Sequence, residues 1–192
     1  MIIYLHGFNS GGRSVKAGQL RAMLAPLAVL APTYPVHRVP EALRYLRKFI
    51  RRLRRENPHD RKLLLIGSSL GGFWAQYLAP EFGAGQVLIN PALHPDQALL
   101  GVVGPQRNEA TGEYYVLSAA EVLAFGAYRV ARCDTSVPSL LLLDQADESL
   151  DYRISEVFYR GCGKTLVYPG GNHRFEHLPE SLPDIRALYD AL

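Results

Sequence analysis

Five short, almost entirely apolar runs constrain the fold of this chain more than any other feature. They read IIYL, LLLI, QVLI, SLLLL and KTLVY, and they begin at residues 2, 63, 86, 139 and 164. Runs of this length and composition are typical of strands buried on both faces of a parallel sheet. A further run, AVLA at 28–31, brings the expected number of strands to six. Helix-like stretches alternate with the runs, which indicates an α/β fold with helices covering both faces.

The helix-like stretches and one long insertion complete the expected organisation. Helices are expected at about 14–25, 41–56, 70–79, 150–160 and 180–191. The chain of 192 residues suits a single domain spanning 1–192. Residues 91–137 are long for a connection and contain helix-like pieces around 95–100 and 118–125. Such insertions are usually lids or binding loops, so we predict a small cap here, with a plain surface excursion as the alternative.

The positive charge is concentrated in one segment, although the net charge is only +3. Nine arginines and lysines crowd residues 44–62. A nucleic-acid-binding patch is one interpretation. However, Leu43, Leu46, Ile50 and Leu53 recur at helical spacing, which favours the solvated face of an amphipathic helix. We therefore predict no nucleic-acid partner.

The cysteines and the apolar segments bear on the compartment. Cys133 and Cys162, the two cysteines, show neither metal-ligand spacing nor a disulfide framework, so we expect free thiols. Free thiols suit a reducing cytosol. No leader pattern is recognisable at the N-terminus, and no apolar run approaches the ~20 residues of a membrane span. The expected location is therefore the cytoplasm.

The stretch LLLIGSSLGGFWAQ at 63–76 carries the strongest functional motif. Its Gly67–Gly71 segment matches G-x-S-x-G between a strand and a helix, the context of a nucleophile elbow. The glycines let neighbouring backbone pass close to Ser69, which is thereby exposed on a strained, rigid turn. Ser68 occupies the x position, so its side chain should point elsewhere. A phosphate loop is excluded because no Gly-Lys-Ser/Thr ending follows.

A serine nucleophile needs a base, and the chain order selects a histidine. In α/β hydrolases the order is Ser, then Asp or Glu, then His. His173 follows the last predicted strand in YPGGNHRF, where two glycines allow a sharp loop. His177, at the start of the final helix, is the alternative.

The acid and the oxyanion donors are less narrowly defined by the residues. Four carboxylates follow the strand 139–143: Asp144, Asp147, Glu148 and Asp151. Any of them could orient the imidazole. The oxyanion requires two backbone N–H donors, for which we expect Leu70, after the nucleophile, and Phe8, in the loop after the first strand. His6 is expected to order that loop.

These motifs together resemble a known family. LHGF, IGSSLGG, DQADESLDY and GGNHRF occur in the order seen in the small YqiA-type esterases of the α/β-hydrolase superfamily. The resemblance covers nearly the whole chain. It implies a shortened α/β-hydrolase fold of six parallel strands, Ser69 as nucleophile, Asp147 as acid and His173 as base. It also implies Phe8 and Leu70 as oxyanion donors and hydrolysis without a cofactor or metal.

The function expected from the sequence is hydrolysis of acyl esters or thioesters through an acyl-enzyme. The partner would be a small-molecule ester, and the oligomeric state is left open. An acyltransferase or a peptidase would use the same triad. A non-catalytic binding protein of this fold is the alternative from another class, but it would be expected to lack part of the triad.

Overall fold

The computed structural model describes all residues, 1–192. Its eight strands are β1 (Ile2–Leu5), β2 (Val29–Leu30), β3 (Leu64–Ser68), β4 (Gly85–Ile89), β5 (Gly104–Arg107), β6 (Tyr114–Leu117), β7 (Ser139–Asp144) and β8 (Lys164–Tyr168). Its seven α-helices are α1 (Val15–Leu24), α2 (Val39–Glu56), α3 (Leu70–Phe82), α4 (Pro95–Ala98), α5 (Ala119–Leu123), α6 (Tyr152–Phe158) and α7 (Leu178–Asp190). The predicted strands and main helices are all present, with bounds that differ by a few residues.

The central sheet has six strands, all parallel, in the order β2-β1-β3-β4-β7-β8. This confirms the predicted α/β class. Leu5 pairs with Gly67, and Ser68 pairs with Ile89, so the carboxyl ends of β1, β3 and β4 meet at one edge. Asp144 at the end of β7 pairs with Tyr168 at the end of β8. The loops that carry the motifs therefore converge on the same edge, where ligands bind in open α/β sheets.

Two separate cores cover the two faces of the sheet. Alternate residues of β1 divide between them, because successive side chains of a strand point to opposite faces. Ile3 and Leu5 join the core beneath α2 and α3, whereas Ile2 and Tyr4 join the core beneath α1 and α7. Each face is thus sealed by its own pair of helices.

Helix α2 carries the basic segment, and it is amphipathic as predicted. Leu43, Leu46, Ile50 and Leu53 are buried, whereas most of its arginines are exposed. Arg47 and Arg51 pair with Glu81 on the neighbouring α3. The basic segment therefore contains arginines that form ion pairs within the protein as well as arginines that face solvent.

The insertion 91–137 departs from the sequence-based expectation. Helical pieces do occur near the predicted positions, as α4 with a 3₁₀ turn at Leu100–Val102, and as α5 with a 3₁₀ turn at Ala124–Tyr128. Between them lies an antiparallel hairpin of β5 and β6 that the sequence did not predict. β6 reads YYVL, an apolar run like those of the central sheet, but its partner β5 reads GPQR and has no strand-like pattern, so the pair is not evident from the sequence. The insertion is therefore a mixed helix and hairpin segment.

The prediction of free cysteines was wrong. Cys133 and Cys162 form a disulfide, with their Cα atoms 6.2 Å apart. Their separation along the chain says nothing about their distance in space, and the end of the insertion folds back onto the loop before β8. The thiol-based argument for a reducing cytosol therefore lapses.

None of the helices combines the length and the apolarity that a bilayer span requires.

Candidate active site

Ser69 lies on the turn between β3 and α3. Its backbone has φ 54° and ψ −122°, a conformation that residues with a Cβ rarely adopt. Gly71 packs so closely against the carbonyl of Leu5 that a Cβ there would overlap the backbone of β1. The glycine is therefore required for the turn to approach β1 while the serine side chain is presented at the edge of the sheet.

Ser69, His173 and Asp147 form a continuous hydrogen-bonded chain. Ser69 Oγ lies 2.9 Å from His173 Nε2. On the other side of the ring, His173 Nδ1 lies 2.8 Å from Asp147 Oδ2 and 3.0 Å from Oδ1. If Nδ1–H donates to the carboxylate, then Nε2 is free to accept the serine proton. The three residues come from the loops after β3, β7 and β8.

The Asp147 carboxylate is held rigidly. Its side chain is 2% exposed. Its Oδ1 also accepts hydrogen bonds from the N–H groups of Ser149, at 2.8 Å, and Leu150, at 2.9 Å. These two donors fix the direction of the carboxylate. A buried and oriented carboxylate of this kind can stabilise an imidazolium.

Asp144, one of the alternatives for the acid, has a different place. It is fully buried and contacts His177 rather than His173, with Oδ1 2.7 Å from His177 Nδ1. Its Oδ2 accepts the N–H groups of Asn172, at 3.2 Å, and Glu176, at 2.8 Å. Gly171, at φ 72°, makes room for this carboxylate, which a Cβ would displace. Asp144 therefore braces the loop that carries His173.

The other two carboxylates also lie outside the chain of three. Glu148 accepts the backbone N–H of His173 at 3.0 Å. Asp151 caps α6 by accepting the N–H of Arg153. Both act on the backbone rather than on the imidazole.

Asn90 was missed by the sequence reasoning. Its Oδ1 accepts the N–H of Asp144 at 3.0 Å, and its Nδ2 donates to the carbonyl of Asn172 at 3.0 Å. Asn90 has φ 40° at the end of β4 and thus joins the loops after β7 and β8. Its position directly after an apolar strand was the available signal.

The loop after β1 approaches Ser69 from the opposite side. A Cβ added at Gly7 would lie 3.2 Å from Ser69 Cβ, so the loop is in close contact with the turn. Neither Phe8 nor Leu70, the two predicted oxyanion donors, gives its N–H to a loop or cap hydrogen bond. Leu70 also begins α3, whose dipole favours negative charge at that point.

His6 orders this loop from a buried position. Its Nε2 accepts the N–H of Tyr34 at 3.3 Å, and its Nδ1 lies 2.9 Å from the carbonyl of Gly7. Tyr34 Oη in turn donates to the carbonyl of His6 at 2.9 Å. Burial lowers the pKa of His6 to about 4. The ring is therefore neutral in the folded protein at physiological pH.

A cavity of about 1260 Å³ opens beside Ser69 and His173. Phe8 and Leu70 line it together with residues of the insertion. Its volume exceeds that of a typical small-molecule pocket. The serine is thus accessible to a ligand much larger than water.

The model of the Uncharacterised protein family UPF0227 matches residues 1–190. The chain belongs to the UPF0227 family. A UPF0227 protein of Vibrio cholerae serotype O1 is 32% identical over 192 residues, which cover 98% of each chain. Another, from Serratia proteamaculans, is 28% identical over 192 residues, again covering 98% of each chain. The resemblance to the small YqiA-type proteins is thereby confirmed.

Solved structures show which fold the UPF0227 protein has. Est1E from Butyrivibrio proteoclasticus, solved with ferulic acid bound, superposes with a TM-score of 0.78 at 18% identity, covering 100% of this chain and 89% of that one. The monoacylglycerol lipase of Paleococcus ferrophilus gives 0.70 at 19% identity, covering 98% and 93%. Identities this low establish the fold alone. It is the predicted α/β-hydrolase fold.

Lys16, like Asn90, is a residue of the candidate site of this UPF0227 protein that sequence reasoning missed. It lies in the first turn of α1, lines the cavity, and donates from Nζ to Ser68 Oγ at 2.9 Å. Ser68 therefore points away from the triad, as its place in the motif suggested. Desolvation lowers the pKa of Lys16 to about 8, against the attraction of Asp144 and Asp147. A single lysine in the first turn of a short helix gave no sequence signal for this contact.

No cluster of three or more His, Cys, Asp or Glu side chains is arranged to hold a metal ion.

Proposed function

We propose that this protein is a serine hydrolase that cleaves acyl esters or thioesters through an acyl-enzyme. The observation that supports this most directly is the chain from Ser69 Oγ through His173 to Asp147, which opens onto a large cavity. Serine hydroxyls are weak nucleophiles until an oriented base removes their proton. The arrangement supplies a base and a carboxylate that orients it.

The first half-reaction acylates the serine. Ser69 Oγ attacks the acyl carbon while His173 Nε2 takes its proton, and Asp147 stabilises the imidazolium. The backbone N–H groups of Phe8 and Leu70 receive the developing oxyanion. The tetrahedral intermediate then collapses, the C–O or C–S bond to the leaving group breaks, and His173 returns the proton to the alcohol or thiol.

The second half-reaction restores the enzyme. Water attacks the acyl carbon while His173 accepts one of its protons. The bond to Ser69 Oγ breaks, the serine recovers its proton, and a carboxylic acid leaves. The esterase and lipase names of the solved relatives support ester chemistry by analogy of fold, which by itself does not fix a function.

The insertion 91–137 is proposed to form the cap over the acyl-binding part of the cavity. Pro95, Ala98, Leu99 and Val102 reach the cavity from this segment. Apolar lining of this kind suits an acyl chain or an aromatic group.

Removal of the nucleophile tests the proposal. Ser69→Ala should leave a folded protein and lower ester turnover on the order of 10⁶-fold, as in other triads that lose their serine. A panel of esters and thioesters of graded acyl length measures the rate. Ser136→Ala, an exposed serine of the insertion, is the matched control and should retain activity.

Covalent labelling provides an independent test. A fluorophosphonate should add once to the wild-type protein and not to Ser69→Ala, with the adduct mapped to Ser69 by peptide mass spectrometry. Label on Ser68, or on neither serine, contradicts the assignment.

A further inference from the structure

The cavity lies across the carboxyl edge of the sheet, and residues from the cores on both faces of the sheet line it. On one face it is lined by Phe8 and Leu99, which pack against the core beneath α2 and α3. On the other face it is lined by the first turn of α1 and by Phe175, which belongs to the core beneath α1 and α7. Ser69 lies at the carboxyl end of β3, between the two. A ligand at Ser69 therefore meets a different environment on each side.

The two sides differ in chemistry. The insertion contributes mainly apolar groups, namely Ala92, Pro95, Ala98, Leu99 and Val102. The other side is formed by α1 and by the loop between β8 and α7, here called the His173 loop. It carries Arg13, Lys16 and Arg174, together with the carboxylate of Glu176. Glu176 already accepts a hydrogen bond from Asn172 Nδ2, at 2.6 Å. Glu109 is the other carboxylate that lines the cavity, and it comes from the insertion.

Lys16 has unused hydrogen-bonding capacity on the charged side. Its ammonium has three donors, and its one hydrogen bond goes to Ser68 Oγ. No carboxylate lies within ion-pair distance of it. Asp147 is occupied by His173 and two backbone donors, and Asp144 by His177 and two others. The nearest additional contact is the ring of Phe175, whose centroid is 5.9 Å from Nζ.

A half-buried ammonium with unused donors is costly to maintain for packing alone. A neutral residue of similar length would fill the same space beneath Phe175 without desolvating a charge. An anion entering the cavity would meet the two free N–H groups and recover that cost. Arg13 and Arg174 are exposed and form no ion pair, so they add positive potential at the same end.

We propose that Lys16 binds an anionic group of the substrate, so that the preferred ester carries an apolar part on the insertion side and a carboxylate or phosphate on the α1 side. The inference rests on the proposed function for its catalytic meaning, since Ser69 must attack the ester bond between the two parts. The binding preference itself does not depend on turnover.

Binding to the Ser69→Ala protein tests the preference without catalysis. Two matched pairs of esters, each an anionic ester and its neutral amide counterpart, show where the anion is preferred. In the first pair, para-butyryloxybenzoate and para-butyryloxybenzamide, the charge lies in the leaving group. In the second pair, monophenyl adipate and its terminal amide, the charge lies in the acyl group. Calorimetry should show the anionic member of at least one pair binding ~10–100-fold tighter, as expected for a charge-assisted hydrogen bond.

Variants of Lys16 in the same Ser69→Ala background assign the preference. Lys16→Met should abolish it while leaving binding of the neutral esters within about twofold, and Lys16→Arg should retain most of it. Lys48→Met, an exposed lysine on α2, is the control and should change nothing. Circular dichroism establishes that each variant is folded.

The outcomes separate this inference from the proposed function. If neither anionic ester binds more tightly, or if the preference survives in Lys16→Met, the role of Lys16 is wrong. If the preference depends on Lys16 but protein with Ser69 intact hydrolyses none of the four esters, the inference stands and the proposed function is contradicted for this substrate class.

Discussion

At the scale of single residues, the backbone of Ser69 stores strain. A positive φ of 54° is unfavourable for a residue with a Cβ, on the order of 1–3 kcal/mol. Ser69→Gly should therefore be more stable than Ser69→Ala by about 1 kcal/mol, after allowing for the greater freedom of glycine in the unfolded chain. Both variants lose the hydroxyl, so the comparison isolates the Cβ. Urea unfolding measures the difference, and equal stability would mean that the turn is unstrained.

The charge of Lys16 also has a stability consequence. Its folded pKa of about 8 lies below the ordinary lysine value of 10.5, so the folded state disfavours the proton. Between those pH values the unfolded chain binds more protons, and stability should rise with pH. Tyr4, whose pKa burial raises to about 12, stays neutral across this window.

Lys16→Met should consequently be the more stable protein at pH 7, by about 1–2 kcal/mol once the partial exposure of the side chain is allowed for. The advantage should shrink as pH rises from about 8 towards 10.5. Unfolding of both proteins across this range gives the difference curve. A variant that is less stable by the same amount at every pH would show that Lys16 is a structural residue.

The carboxylates after β7 can be separated by substitution. Asp147→Asn removes the charged partner of His173 and should lower turnover by ~10⁴-fold, as a similar change does in another triad enzyme. Asp144→Asn should act mainly on stability, by about 1–3 kcal/mol, because an amide nitrogen cannot accept the N–H groups that the carboxylate now binds. Asp151→Asn should change little, since asparagine also caps helices.

Kinetics should be measured well below the thermal midpoint of each of these variants. If Asp144→Asn were inactive and Asp147→Asn were active, Asp144 rather than Asp147 would be the acid of the proposed triad.

The sequence indicated these residues to different degrees. Ser69 followed from a local motif, and His173 from chain order combined with two glycines. Asp147 could not be separated from three neighbouring carboxylates without the family resemblance, because a shift of a few residues in a loop leaves no periodic signal. Asn90 and Lys16 act through contacts that span 82 and 52 positions, and such contacts have no local signature.

At the scale of elements, the loop after β1 is sensitive to acid. His6 is neutral and buried, and its folded pKa of about 4 lies below the ordinary histidine value of 6.5. Stability should fall as pH drops from 6.5 towards 4, by up to about 3 kcal/mol, because the unfolded chain takes up the proton first. Protonation of Nε2 would also break its bond from Tyr34. His6→Gln should flatten this part of the pH profile in thermal unfolding, and an unchanged slope would contradict the role given to His6.

The disulfide joins the insertion to the main body of the protein. It links positions that are 29 apart in sequence, so opening it should lower the free energy of unfolding by about 3 kcal/mol in the chain-entropy account. A Cys133→Ser, Cys162→Ser double variant tests this by urea unfolding. Wild-type protein in reductant should match it, and a reduced protein as stable as the oxidised one would contradict the prediction.

The elements that the sequence indicated are those with strong apolar patterns. Wholly buried strands such as β3 and β4 show continuous runs, and α2 shows a clear helical stripe. The hairpin of β5 and β6 was not predicted because only β6, which reads YYVL, has an apolar run, whereas β5 reads GPQR and gives no strand signal. The disulfide escaped notice because it depends on how the insertion folds back.

At the scale of the whole molecule, the class of the fold was already determined by its buried strands. Six of them must be covered on both faces, and right-handed crossovers leave few topologies for a parallel sheet. The strand order then brings the loops after β3, β7 and β8 to one edge. The three residues of the proposed triad, which lie 26 and 104 positions apart along the chain, are thereby brought into hydrogen-bonding contact.

The position of the cavity across two cores has an evolutionary consequence. Substitutions in the insertion alter the lining on one face of the sheet, whereas substitutions in α1 and the His173 loop alter the other. Because the two groups of side chains pack into different cores, changes in one should combine almost additively with changes in the other. Selection could thus exchange the apolar moiety that is recognised while retaining the charged one. A directed-evolution library could treat the two faces as independent modules.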